Sequence, residues 1–194
     1  SDEIDLPTFP LFGLFSCGLG MTSIIPDMDS TRPAKVTPEN ITGPINQFKV
    51  SSSFGSPALW DTVSQYCLEK KIKLPTIKRI IMAGAPVSGK LLSRFENIVN
   101  VDCKIQTPYG ATEALPVSLI DRREILDQTW PLSNKGAGTC LGRAIPGVEI
   151  KIIAISDSPI LDWEKATPLS LNTIGEIVVK APWATRTYFN REDL

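Results

Sequence analysis

No histidine occurs anywhere in the 194 residues. That absence excludes a Ser-His triad, a histidine base and any histidine metal ligand within this chain. Cysteine is scarce: Cys17, Cys67, Cys103 and Cys140 lie far apart, with no CxxC pair. Such spacing argues against a zinc site or a disulfide framework, and for reduced, mostly buried thiols in a cytoplasmic protein. Neither sign of charge is in excess, since 20 basic and 21 acidic residues leave a net charge of −1. The basic footprint of a general nucleic-acid binder is therefore missing, and nucleic acid is not an expected partner. Long apolar runs are missing too. The longest, residues 11–21, is too short to span a bilayer and is broken by Gly13, Gly18 and Gly20, so no transmembrane segment is expected. Chemistry must then come from carboxylates, hydroxyls, backbone amides or a bound cofactor.

A hydrophobic share of 42% against 21% charged is enough to bury a sizeable core. The chain alternates in character. Pro7 and Pro10 precede an expected apolar helix over 11–19, and residues 21–26 suit a buried strand. Thr37-Pro38-Glu39 reads as a helix start, with Ile41, Ile45 and Phe48 at helical spacing. Residues 50–54 form an expected strand, after which Ser56-Pro57 starts a helix whose Leu59, Trp60, Val63 and Cys67 share one face. A strand over 79–83 precedes a helix capped by Ser88, with Leu91, Leu92, Phe95, Ile98 and Val99 on its inner side. Residues 101–105 then form another strand. This succession predicts an α/β fold, a mostly parallel sheet with flanking helices.

After residue 114 the pattern changes. Residues 116–120 read as a further strand, 121–126 as a short exposed helix and 129–139 as a loop. Residues 148–155 and 173–180 read as strands of a small antiparallel β portion. The expected division is an α/β subdomain over 1–140 and an incomplete antiparallel subdomain over 141–194. Residues 191–194 read as the start of a new element, so the chain is expected to be a fragment.

In parallel α/β sheets, ligands bind beyond the carboxyl ends of the strands. Three turns are expected there: Phe54-Gly55-Ser56, Gly84-Ala85-Pro86 and Tyr109-Gly110-Ala111-Thr112-Glu113. The last offers a ring for stacking, a glycine for close approach, a hydroxyl for phosphate and a carboxylate for magnesium. Taken alone it reads equally well as a helix cap at Thr112 with Tyr109 filling the core.

Three separated patterns resemble the adenylate-forming enzymes, which include acyl-CoA synthetases. Tyr109-Gly110-Ala111-Thr112-Glu113 is similar to their Tyr-Gly-x-Thr-Glu motif, and Met82-Ala83-Gly84-Ala85-Pro86 to the turn against the adenine. Gly142-Arg143-Ala144-Ile145-Pro146-Gly147, Gly175-Glu176 and Tyr188-Phe189-Asn190 follow in the family's order. Residues 6–12, 25–29, 55–60 and 107–109 more closely resemble the β-lactone synthetases of bacterial long-chain olefin biosynthesis. The resemblance implies that Tyr109 stacks on the adenine of ATP while Gly84, Ala85 and Pro86 present backbone to it. It implies that Thr112 bonds the α-phosphate, Glu113 holds Mg2+, and Gly110 and Ala111 border the acid. Phe9, Pro10, Phe12, Phe54 and Gly55 are the implied acyl-pocket residues. The activity implied is ATP-dependent activation of a long-chain β-hydroxy fatty acid as an acyl-adenylate, closing to a β-lactone. The alternatives are a fatty-acyl-CoA ligase using coenzyme A, or a non-catalytic binding module on the same fold.

The departures bear on this. Gly13 stands where many members have histidine, and the phosphate loop with its lysine, the ribose-binding Asp and a C-terminal catalytic lysine have no counterpart. No turnover is expected of this chain alone, and apolar surface exposed by truncation is expected to favour oligomers.

Overall fold

A computed structural model describes residues 2–190. Strand β1 (Ile4–Pro7) leads into helix α1 (Pro10–Gly18), with Pro10 in the first turn, where its missing N–H costs nothing. Only Thr22–Ser23 of the expected strand over 21–26 pairs, as β2. Helix α2 (Glu39–Gln47) starts without a side-chain cap. The backbone is already helical at Pro38, and the carbonyls of Thr37 and Pro38 accept from Asn40 and Ile41, so the expected Thr37 cap is not made. Strand β3 (Ser52–Gly55) precedes helix α3 (Pro57–Lys70), where Ser56 Oγ accepts from the Leu59 amide at 3.2 Å. Strand β4 (Arg79–Met82) precedes helix α4 (Gly89–Arg94), where Ser88 Oγ accepts from the Leu91 amide, also at 3.2 Å. Each such cap contributes about 1 kcal/mol.

Two compact units emerge within the described residues: 2–107 with Ile120–Cys140, and Pro108–Leu119 with 141–190. Residues 108–119 thus group with the later part of the chain rather than with the α/β elements that flank them.

The first unit holds the parallel strands. β1 lies between β2 and β3, and β4 pairs with β3 in parallel. Strand β5 (Lys104–Ala111) joins β4 through Arg79 opposite Lys104 and Ile81 opposite Gln106. Helices supply one side of its core. Leu59, Trp60 and Val63 of α3 and Leu92 of α4 are fully buried with Leu6, Ile80, Met82 and Ile105 of the strands. The Trp60 and Phe95 rings meet edge-on at 5.7 Å. Burying each large apolar side chain stabilises by about 1.5–3 kcal/mol.

The helix expected over 121–126 forms but is partly buried rather than exposed, and most of the loop expected over 129–139 is corrected. Helical turns, part α and part π, continue from Arg122–Glu124 through Ile125–Thr129 and Trp130–Leu132 into Ser133–Ala137, where Gly136 at φ +98° leaves the helical conformation. Arg122 and Ile125 are buried, and Trp130 packs on the core. That contact favours helix over the loop suggested by Pro131 and Asn134, while Gly136 does break the helix.

In the second unit, β6 (Ala114–Asp121) pairs antiparallel with β7 (Arg143–Ala144) through Ser118 and Leu119. Strands β8 (Glu149–Ile153) and β9 (Glu176–Lys180) form a separate antiparallel pair, with Ile153 opposite Glu176. The mostly parallel sheet with flanking helices and a small antiparallel sheet is the expected fold class. The new element expected at 191–194 lies outside the described residues. No helix among the described residues is long and apolar enough to cross a membrane.

Candidate active site

In the first unit, Pro7 lies opposite Phe54 and Gly55 opposite Met82, so β1, β3 and β4 end at one edge of the sheet. Thr8 ties two of these ends together: its amide and its hydroxyl donate to the Phe54 carbonyl at 3.0 and 2.9 Å. Above them the Phe12 and Phe54 rings stack at 3.7 Å with an interplanar angle of 17°. Phe9 and Phe15 approach Phe12 edge-on at 6.2 and 5.9 Å. Of the five acyl-pocket candidates, the fold therefore brings Phe9, Phe12 and Phe54 into one cluster. Pro10 heads α1 on the exposed side, and Gly55 is buried against the Trp60 indole.

Gly84, Ala85 and Pro86 form an exposed turn directly after β4. Gly84 has φ +94°, a left-handed conformation that side chains disfavour. Pro86 lines a groove of about 360 Å³ with Pro57, Ala58, Asp61, Thr62, Ser88 and Leu91. Asp61 is neutralised there by Arg94, whose Nη1 donates to Oδ1 at 2.6 Å. Sequence reasoning had not singled out this wall of α3, although its signal was available. Ala58, Asp61 and Thr62 follow i, i+3, i+4 spacing and turn away from the buried Leu59, Trp60 and Val63.

The second unit carries the other motif, in a form the sequence did not suggest. Tyr109, Gly110 and Ala111 are the last residues of β5, and Thr112 and Glu113 are the two-residue tip before β6. No helix follows Thr112, so its reading as a helix cap is overturned. Gly110 makes the hairpin possible: a Cβ there would fall 2.5 Å from the Ala114 carbonyl oxygen. Tyr109 and Glu113 are half-buried, and Thr112 is exposed.

Glu113 is held twice. Its carbonyl accepts from the Thr185 amide at 2.7 Å, and its Oε1 accepts from the Tyr188 hydroxyl. The Trp183 indole donates to the neighbouring Pro116 carbonyl at 3.3 Å. The bond from Tyr188 holds the Glu113 carboxyl below the usual carboxylate range, and the same bond raises the Tyr188 phenol. Among the described residues no cluster of three or more His, Cys, Asp or Glu could hold a metal ion. A single carboxylate fits magnesium of another kind, bound through one protein oxygen together with substrate phosphates and water.

The first unit is thus a parallel α/β scaffold whose strands end in turns, and the second carries a hydroxyl and a carboxylate at a hairpin tip. The chain belongs to the AMP-binding enzyme family, whose profile matches residues 8–189. It is similar to the olefin beta-lactone synthetase of Stenotrophomonas maltophilia (strain K279a), 45% identical over 188 residues. The protein of the same name from Xanthomonas campestris pv. campestris is 43% identical over 189 residues. Both matches cover 97% of this chain and 33% of the relative, so the chain spans about a third of their length. Among solved structures, O-succinylbenzoate coenzyme A synthetase from Bacillus subtilis, in complex with ATP and magnesium ion, has a TM-score of 0.64 at 22% identity. That match covers 98% of this chain and 35% of the other, and it speaks for the fold.

Proposed function

We propose that a protein of the relatives' length containing this chain activates a long-chain β-hydroxy fatty acid with ATP and closes it to a β-lactone. In the first step a carboxylate oxygen of the acid attacks the α-phosphorus, and pyrophosphate leaves, giving the acyl-adenylate. In the second, the acid's own β-hydroxyl oxygen attacks the activated acyl carbon; its proton is lost and AMP leaves. Neither step needs a protein nucleophile, which suits a chain without histidine.

The residues take the following roles in this proposal. Tyr109 stacks on the adenine, and Gly84, Ala85 and Pro86 offer backbone to the base. Thr112 donates to the α-phosphate. Glu113 holds Mg2+, which when bound offsets the charge of the departing pyrophosphate. Gly110 and Ala111 border the carboxylate of the acid, and Phe9, Pro10, Phe12, Phe54 and Gly55 meet its alkyl chain, each buried methylene contributing about 0.8 kcal/mol. The unpaired, buried Cys67 and Cys103 favour a cytoplasmic setting.

The observation that carries this reading is the hairpin tip, where Thr112 and Glu113 stand side by side at the end of a strand bearing Tyr109. Two assays test it in the full-length protein. ATP and a long-chain β-hydroxy acid, with and without coenzyme A, should yield lactone in both cases; a thioester and no lactone would assign a fatty-acyl-CoA ligase instead. Glu113→Gln should slow pyrophosphate release by about 10²–10³-fold. Unchanged rate and magnesium dependence would remove Glu113 from the site.

A further inference from the structure

The bond between Tyr188 and Glu113 joins residues 75 apart in sequence, and the activity as proposed does not use it. Tyr188 belongs to a segment reading Thr187-Tyr188-Phe189-Asn190. Two residues of this segment's approach, Trp183 and Thr185, bond the backbone of β6 at Pro116 and of the hairpin tip at Glu113. The tip is thus fixed through its backbone, and the Tyr188 hydroxyl adds a hold on the carboxylate itself.

We propose that Tyr188 is a positioning residue for the cation-binding carboxylate of Glu113. The proposal rests on the reading of Glu113 as a magnesium ligand. A glutamate side chain has three rotatable bonds, and a half-exposed one must give up that freedom to coordinate an ion. A phenol hydroxyl donating to Oε1 removes it beforehand, and it leaves Oε2 and the second lone pair of Oε1 for a metal. Outer partners of this kind orient the atoms that bind the ion. A tyrosine that only pinned residues 183–188 in place would not affect how the metal binds.

The test uses the full-length protein with Mn2+ as probe and a non-hydrolysable ATP analogue, bound ion being read by electron paramagnetic resonance. Tyr188→Phe keeps the ring and removes the hydroxyl. It should weaken Mn2+ binding roughly tenfold and raise the magnesium half-saturation of pyrophosphate exchange by a similar factor. The KM for ATP at saturating magnesium should stay unchanged. Phe189→Ala, at a neighbouring side chain that is 92% exposed, should alter neither quantity. In the unsubstituted protein, adding magnesium with the analogue should shift the ring-carbon resonance of Tyr188. Normal Mn2+ binding in Tyr188→Phe, with weakened binding in Glu113→Gln, would overturn the role of Tyr188 alone. Normal binding in Glu113→Gln would overturn the reading of Glu113 as well. Equal weakening in Phe189→Ala, or an unmoved Tyr188 resonance, would also overturn the positioning role.

Discussion

The two units differ sharply in how they are held together. Every residue of the principal hydrophobic cluster, from Leu6 through Trp60, Ile80 and Phe95 to Ile125, lies in the parallel-sheet unit. The unit that carries Tyr109 to Glu113 buries far less: Val117, Val148, Ile153 and Ala166 are its inaccessible apolar residues among those described. Leu161, Leu171 and Ile174 of the same unit are 89–95% exposed. The first unit is a packed floor whose strand ends sit where the interior puts them. The second holds its chemistry-bearing tip with individual hydrogen bonds, such as those from Thr185 and Tyr188. Packing sets geometry where many side chains meet, and directed polar contacts must set it where few do.

The contrast is sharpest under truncation. Trp60→Ala should destabilise the first unit by about 3–5 kcal/mol, because it opens a cavity against Phe95 beneath the strand ends; urea unfolding followed by circular dichroism would measure it. A cost below about 1 kcal/mol would show that the floor is less tightly packed than its burial suggests.

Thiol chemistry gives a second and smaller test. Burial pushes the Cys67 and Cys103 thiols up to about 11, whereas Cys17 and Cys140 are exposed. The thiolate is the reactive form and grows with pH, so at pH 8 a thiol of pKa about 11 is ionised about one part in a thousand. Titration with a disulfide reagent should show two fast thiols and two that react only after unfolding. All four lie in the first unit, so four fast thiols would show that its interior is open to reagent and less firmly packed than the comparison requires.

The smallest effect belongs to the antiparallel pair. Ile177→Ala in β9, at a side chain 37% exposed, should cost less than about 1 kcal/mol in the same unfolding measurement. A loss as large as that of Trp60→Ala would mean that β8 and β9 carry far more of the stability than their burial indicates.

Much of the first unit was legible beforehand because its signals are local. Ser56 and Ser88 do cap the helices that follow them, and Leu59, Trp60, Val63 and Cys67 do form one buried stripe. The alternation of strand and capped helix was enough for a parallel sheet. The hairpin was harder to read. The strand expected over 101–105 is instead β5, Lys104–Ala111, and it carries Pro108 and Gly110 within it. What allows this is the close passage of Gly110 past the Ala114 carbonyl, which no residue pattern displays. The loop expected over 129–139 holds only at its end, from Gly136 onward: Pro and Asn argue for a loop until Trp130 finds the core.

By itself, then, the sequence determined which chemistry is available and roughly where it falls. It has no histidine, it has a stacking ring, a hydroxyl and a carboxylate within five residues, and its helix starts mark the strand ends. Propensity, capping and periodicity act over a few residues, so a linear reading recovers them. Only the tertiary structure decided that Thr112 and Glu113 form a hairpin tip and that Pro86 opens onto a groove along α3. The same holds for Tyr188, which grips Glu113 from 75 residues away. Such contacts depend on chain segments brought together by burial and pairing, and short-range preference carries no record of them.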